Sequence, residues 1–112
     1  MQKFNMGQVP PVAVGAGRVR KVPDLVQKLG GGPALIIADA VLVELGLMDR
    51  LTDGLSAKGF AFDVAADVSG EPKEELVDQL SARARAADAE VVIGFGGGAA
   101  MDAAKLVAAI AK

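Results

Sequence analysis

The stretch from Val91 to Lys112, VVIGFGGGAAMDAAKLVAAIAK, constrains the fold more than any other part of this sequence. It runs from a β-branched apolar segment, through glycines, into an alanine-rich segment. Glycines between a core strand and a helix let the backbone turn tightly, and no Cβ obstructs a ligand there. The first N–H groups of such a helix have no intrahelical partners. The stretch therefore predicts a strand, a tight turn and a helix whose N-terminus is open to an anion.

The middle of the chain repeats this alternation of strand and helix. ALIIADA is a continuous apolar run, which is typical of a parallel strand covered on both faces. Residues 41–58 predict a helix in two pieces that separate near Gly46, and GFAFDVAADV alternates as a strand does. The loop SGEP then places Pro72 at the first position of a helix that we expect to end at about Ala87.

The N-terminal part adds a shorter strand and a further helix. PPVAVGAGRVRKV predicts an edge strand or a hairpin, because its leading prolines are unsuited to a central strand. PDLVQKLGGG predicts a helix that starts at Pro23 and carries Leu25, Val26 and Leu29 on one face. The element order is therefore βαβαβαβα. Right-handed crossovers make this an α/β fold, a three-layer Rossmann-like parallel sheet with helices on both faces.

Composition and charge exclude several classes of function. A net charge of -2 argues against a binder of nucleic-acid phosphates, which presents a clustered basic face. With no Cys and no His, the chain lacks both thiolate ligands and the commonest metal ligand. The N-terminus MQKFNMGQVP has no signal-peptide pattern, and no apolar run approaches the roughly 18 residues of a membrane span. We therefore expect a cytoplasmic protein with neither nucleic-acid nor membrane partners.

The glycine turn itself leaves two interpretations open. The N–H groups from Gly97 to Ala100 are placed to cradle a pyrophosphate, or the glycines serve only the fold. No GKS or GKT follows, so the turn is not a P-loop. It also differs from the usual dinucleotide fingerprint, since it follows the third core strand, and GAGRVR at Gly15 lacks the last glycine of that fingerprint.

The segment GGGAAMDAAK resembles the G-G-G-S-x-x-D-x-x-K motif of the iron-containing alcohol dehydrogenase and glycerol dehydrogenase family, which shares its fold with dehydroquinate synthase. Three other segments resemble the same family in order, namely FNMGQVPPVAVGAGRVRKVPDLVQKLG, ALIIADAVLVELGLMDRLTDGLSAKG and VSGEPKEELV. The resemblance implies that residues 1–112 are part of an N-terminal dinucleotide-binding domain. It also implies that the family's C-terminal helical, metal-binding domain is absent from this chain.

The resemblance implies a cofactor site residue by residue. Gly96, Gly97 and Gly98 would hold the pyrophosphate of a nicotinamide dinucleotide, and Asp39 would face the adenosine ribose. Glu71 falls where the family lines the adenine side of the cofactor.

Three positions on the last helix also match the family's motif or depart from it. Asp102 and Lys105 match its two polar positions, and their three-residue spacing places them on one helix face. A second interpretation of that pair is a surface ion pair worth a few tenths of a kcal/mol. Ala99 stands where the family usually has Ser or another polar residue, so a hydroxyl contact to phosphate is lost while backbone contacts can remain.

Asp39 bears on the choice between the two nicotinamide cofactors. A carboxylate at the end of a core strand accepts a hydrogen bond from a ribose 2′-OH and repels a 2′-phosphate. We therefore expect NAD to be preferred over NADP. A second interpretation is that Asp39 caps the helix that follows it.

Three functional hypotheses follow from these observations. The first is the cofactor-binding portion of an NAD(P)-dependent, metal-dependent alcohol dehydrogenase, which moves a hydride between an alcohol or aldehyde and nicotinamide. In that case the iron or zinc ligands belong to the absent domain, this chain holds no catalytic residue, and alone it is inactive. The others are a stand-alone nucleotide-binding module and a non-catalytic fragment. We also expect a homo-oligomer, because the last helix is apolar nearly all round from Ala103 to Ala111.

Overall fold

Strands and helices alternate along the chain. The computed structural model describes residues 11–15, 21–30, 33–68 and 74–110. In chain order the elements are β1 (Pro11–Val14), α1 (Val22–Lys28), β2 (Ala34–Asp39), α2 (Ala40–Glu44), α3 (Met48–Ala57), β3 (Phe62–Val68), α4 (Glu74–Ala86), β4 (Val91–Phe95) and α5 (Gly98–Ile110).

The strands form one parallel sheet in the order β1-β4-β2-β3. Strand β1 lies at an edge beside β4, as the predicted edge strand would, whereas residues 16–20, where the second arm of a hairpin would fall, lie outside the described residues. All of β4 and the first five residues of β2 are buried. This burial explains their continuous apolar sequences, because a central parallel strand is covered on both faces.

Helices cover both faces of the sheet, which confirms the predicted three layers. Alternate residues of β2 point to opposite faces, with Leu35 and Ile37 on one side and Ile36 on the other. The first face packs against α4 and α5, and the second packs against α1 and α3. The buried residues on the second face include the largest ones of these helices, Leu51 and Leu55.

The predicted interruption near Gly46 is confirmed. Helix α2 ends at Glu44, and Gly46 has a φ of +77°, a left-handed conformation that glycine adopts without steric cost at the end of a helix. Helix α3 starts anew at Met48. The interruption separates a short exposed helix from a longer one that is anchored in the core.

Two sequence predictions differ from the structure in detail. Leu25 was expected on the buried face of α1, but it is 39% exposed, whereas Val22 and Val26 are buried. The helix begins one residue before Pro23, and residues four apart at Val22 and Val26 share its inner face. Strand β3 begins at Phe62, so Phe60 precedes it.

Candidate functional site

Two strand-to-helix turns meet at the carboxyl edge of the sheet. Strands β2 and β4 are neighbours, and their register pairs Ala38 with Phe95, so Asp39 and Gly96 follow side by side. Leu42 of α2 packs toward the face that α1 and α3 cover, while α5 packs on the opposite face. A crevice opens between strands whose following helices leave to opposite faces, and this is where open α/β sheets bind ligands.

Gly96 makes the turn after β4. Its φ is +132°, and its N–H donates to the carbonyl oxygen of Val14 at 3.0 Å. A Cβ added at Gly96 would lie 2.7 Å from the Cβ of Asp39 and 3.2 Å from Cδ1 of Leu42. No side chain fits between the two turns, because Cβ atoms in proteins essentially never approach other atoms more closely than 3.0 Å.

The N-terminus of α5 faces the crevice with free backbone donors. The N–H of Met101 donates to the carbonyl oxygen of Gly97 at 3.1 Å, which closes the first turn of the helix. The preceding N–H groups, from Gly97 to Ala100, have no intrahelical acceptor. Gly97 and Gly98 are exposed, and a Cβ at Gly98 would meet no atom within 4 Å. This helix end has both the donors and the open space that an anion requires.

The carboxylate of Asp39 lies beside this turn. Its Oδ1 accepts a hydrogen bond from the N–H of Val41 at 3.0 Å, so Asp39 is the N-cap of α2, as the second interpretation of this residue predicted. Its Oδ2 lies on the side of the glycine turn, 3.8 Å from where a Cβ of Gly97 would be. Capping therefore occupies one carboxylate oxygen and leaves the other toward the crevice.

Gly94 has a role that the sequence analysis did not assign. It belongs to β4, and a Cβ there would lie 2.9 Å from the carbonyl oxygen of Ala100 and 2.9 Å from the Cβ of Ala104. Its missing side chain lets the backbone of α5 lie directly against the strand. A glycine inside an apolar strand is a sequence signal for such a close backbone approach.

The iron-containing alcohol dehydrogenase family model matches residues 10–112. The chain belongs to this family. Long-chain-alcohol dehydrogenase 1 from Geobacillus thermodenitrificans is 40% identical over 103 residues, which are 91% of this chain and 26% of that protein. Sulfoacetaldehyde reductase from Bilophila wadsworthia is 32% identical over 97 residues, 87% of this chain and 25% of that protein. The chain thus spans about a quarter of the length of these curated relatives.

A solved structure of the family has the same fold. Sulfoacetaldehyde reductase from Bifidobacterium kashiwanohense, crystallised in complex with NAD+, superimposes with a TM-score of 0.74 at 27% identity. The match covers 99% of this chain and 29% of that one.

The other positions implied by the family motif lie on α5 or outside the described residues. Helix α5 begins at Gly98, so Ala99 is its second residue, and Ala99 packs partly against the core. Asp102 and Lys105 are both exposed, and the salt bridges among the described residues join Lys58 to Asp24 and Arg83 to Asp63 instead. Glu71 and Pro72 lie outside the described residues.

The family's metal has no matching ligand set in this part of the protein. The described residues contain no group of three or more His, Cys, Asp or Glu side chains that could hold a metal ion. The chain also has no His at all. The residues present therefore do not fit a divalent-metal site of the usual kind. In the same described ranges, no helix has the length and apolarity needed to cross a membrane.

Proposed function

We propose that this chain is the cofactor-binding portion of an NAD-dependent, metal-dependent alcohol dehydrogenase. The observation that carries the proposal is the meeting of Asp39 with the open N-terminus of α5 in one crevice. Family membership supports it, as does the similar fold of a relative crystallised in complex with NAD+. When bound, the nicotinamide accepts hydride from an alcohol or returns it to an aldehyde.

The backbone of α5 would bind the part of the cofactor that all dinucleotides share. The N–H groups from Gly97 to Ala100 donate to the pyrophosphate oxygens, and the helix dipole favours the negative charge. Ala99 contributes its N–H alone, since it has no hydroxyl. Asp102 lies four residues beyond Gly98 and therefore on the same helix face, which supports a place for it beside the cofactor.

Asp39 would distinguish NAD from NADP. Its Oδ1 is held by the N–H of Val41, which leaves Oδ2 to accept from the 2′-OH of the adenosine ribose. A 2′-phosphate at that place meets an uncompensated carboxylate, so NAD is the preferred cofactor. We propose Glu71 for the adenine side of the site on the resemblance alone.

The iron or zinc and the alcohol or aldehyde substrate would be bound by residues outside this chain. The lack of a ligand cluster among the described residues and the absence of His support this division. Residues 1–112 are then part of an N-terminal domain that has no catalytic residue of its own. Purified alone with an alcohol, NAD and Fe²⁺ or Zn²⁺, the chain should produce no NADH absorbance. Metal-stimulated alcohol oxidation by this chain would contradict the division.

Binding of the cofactor is tested directly by isothermal titration of the 112-residue chain with NAD. We expect saturable binding that inorganic pyrophosphate weakens competitively, because both would use the N–H groups of α5. Absence of NAD binding at millimolar concentration would contradict the proposal. Binding that pyrophosphate does not weaken would show that the glycine turn is not the phosphate site.

A cytoplasmic location and self-association complete the proposal. Leu106 and Ile110 are 49% and 48% exposed and lie one turn apart on the same face of α5, and two neighbouring apolar side chains of this size support association with a second copy. Sedimentation equilibrium would detect the dimer, and Leu106→Glu should return it to a monomer. A monomer at high micromolar concentration would contradict this part of the proposal.

A further inference from the structure

Gly96 differs from the two glycines that follow it. Its N–H already donates to Val14 in the neighbouring strand, whereas Gly97 and Gly98 are exposed at the open end of α5. Gly96 is therefore not one of the free donors available to a pyrophosphate. Its place in the family's glycine motif calls for another physical reason.

The reason lies in what Gly96 contacts. The space that its Cβ would occupy is filled by the Cβ of Asp39 and by Cδ1 of Leu42, at 2.7 and 3.2 Å. The backbone nitrogen of Asp39 lies 3.5 Å from the same point. The backbone of the β4 turn at Gly96 therefore packs directly against Asp39 and Leu42 of the β2 turn.

Asp39 is held as the last residue of β2, whereas the helix after it has few anchors in the described structure. Helix α2 has five residues, none of them buried, and Val41 is 59% exposed. Its apolar contact with the core is limited to Leu42 and Val43, which are only partly buried, so few groups set the position of a helix this short. The contact of Gly96 with Asp39 and Leu42 is one of these few, and it therefore contributes to where the N-cap of α2 lies.

We infer that Gly96 is a positioning residue for cofactor choice: its missing Cβ sets the place of the Asp39 carboxylate and so the preference for NAD over NADP. The inference rests on the proposed function of this crevice. It gives the glycines of one motif two roles. Gly97 and Gly98 bind the phosphates, and Gly96 positions the carboxylate of Asp39 that binds the ribose.

The first test needs no cofactor and compares two substitutions by NMR. Gly96→Ala should change the chemical shift of the Val41 amide and speed its hydrogen exchange, because displacement of Asp39 breaks the 3.0 Å bond to Oδ1. Gly30→Ala is the matched control, since Gly30 also has a positive φ, +112°, but a Cβ there would meet no atom within 4 Å. A Val41 amide that is equally unaffected in both variants would overturn the inference.

The second test measures cofactor choice by titration with NAD and with NADP. Gly96→Ala should lower the ratio of the NADP dissociation constant to the NAD dissociation constant about tenfold, which is a loss of about 1.4 kcal/mol in discrimination. Gly30→Ala should leave the ratio unchanged. An equal loss of affinity for both cofactors would overturn the inference and leave the proposed function standing. Failure of the unsubstituted chain to bind either cofactor would instead contradict the proposed function, and the Val41 amide would still report on the positioning.

A third measurement covers the case in which Gly96→Ala lowers stability too much for titration with the cofactors. Asp39→Gly removes the atom that lies 2.7 Å from the new Cβ, so Gly96→Ala should lower the urea midpoint less in that background than in the unsubstituted chain. An equal decrease of the urea midpoint in the two backgrounds would show that Gly96→Ala destabilises the chain through backbone strain alone, at a φ of +132°. That result would overturn the inference.

Discussion

The turn after β2 and the turn after β4 end side by side, yet they are built in opposite ways. The β2 turn presents a side chain, Asp39, on a five-residue helix without buried residues. The β4 turn presents only backbone, on a helix of 13 residues. The inner face of that longer helix is buried along its length by Ala100, Ala103, Ala104, Val107 and Ala108. Arg85 also donates to the carbonyl oxygen of Ile110 at 3.1 Å, which fixes the C-terminal end of α5.

Under the proposed function, this difference separates affinity for the dinucleotide from selectivity between NAD and NADP. Backbone donors on a firmly packed helix suit a group common to every dinucleotide, because their positions do not depend on side-chain rotamers. A single carboxylate suits the one group that differs between NAD and NADP. The contrast predicts that substitutions in the β4 turn lower stability or weaken the binding of both NAD and NADP. Substitutions in the β2 turn should change mainly the preference between the two cofactors.

The largest effect is expected at Gly94, where α5 lies against β4. Gly94→Val should lower the free energy of unfolding by about 3 kcal/mol, because its side chain would meet the backbone of the helix. Urea denaturation measures this loss. Gly98→Ala is the control, since a Cβ there meets nothing, and it should change stability by less than about 0.5 kcal/mol. Equal stability of the two variants would show that α5 does not depend on close contact at Gly94.

The next effect concerns the free N–H groups of α5. Gly97→Asp places a carboxylate at the proposed phosphate site and should weaken binding of NAD and of NADP alike, each about 100-fold or about 2.7 kcal/mol. Titration calorimetry measures both constants. Ala109→Asp adds the same charge to an exposed position of the same helix and should have little effect. Similar losses of cofactor affinity in both variants would show that the added negative charge weakens binding wherever it is placed, and not through the glycine turn.

A smaller and more selective effect is expected at Asp39. Asp39→Asn should relax the preference for NAD about tenfold, or about 1.4 kcal/mol, because it removes the charge while an amide oxygen can still cap α2. Asp39→Gly should relax the preference similarly and cost a few tenths of a kcal/mol of stability through loss of the cap. Titration of each variant with NAD and with NADP would measure the preference. Unchanged discrimination in both variants would remove Asp39 from the site.

The smallest effects are expected on the exposed face of α5. Asp102→Asn and Lys105→Gln should each change the free energy of unfolding by less than about 0.5 kcal/mol, since both side chains are exposed. Titration with NAD then decides between the two interpretations of this pair. A change of affinity for Asp102→Asn alone supports its place beside the cofactor, whereas no change in either variant leaves both residues as ordinary surface positions.

Much of the fold was readable from the sequence because its strands and helices carry strong periodic signals. The apolar runs of β2 and β4 predicted strands buried on both faces, and the break near Gly46 was visible as a glycine between two helical stripes. The details that failed were local. Leu25 was assigned to the buried face of α1 because its apolar character outweighed the helix geometry, which instead turns Val22 and Val26 inward.

The site was only half readable. The glycine turn predicted free N–H groups, and these lie at the N-terminus of α5 as expected. For Asp39 the residues left two roles open, cap or ribose contact, and the structure shows the cap while leaving Oδ2 toward the turn. The different contacts of Gly94 with α5 and of Gly96 with Asp39 could not be predicted, because both are simply glycines near a turn in the sequence.

What the sequence by itself determined is the set of local conformations: which segments become strands and helices, and where glycine allows a tight turn. These depend on neighbours a few residues away, through periodicity, capping and the absence of a Cβ. Only the tertiary structure decided that β4 lies between β1 and β2, and therefore that Gly96 meets Asp39 from 57 positions earlier in the chain. Strand order and register set that contact because buried side chains must fill both faces of the sheet at once, and no short segment contains this requirement.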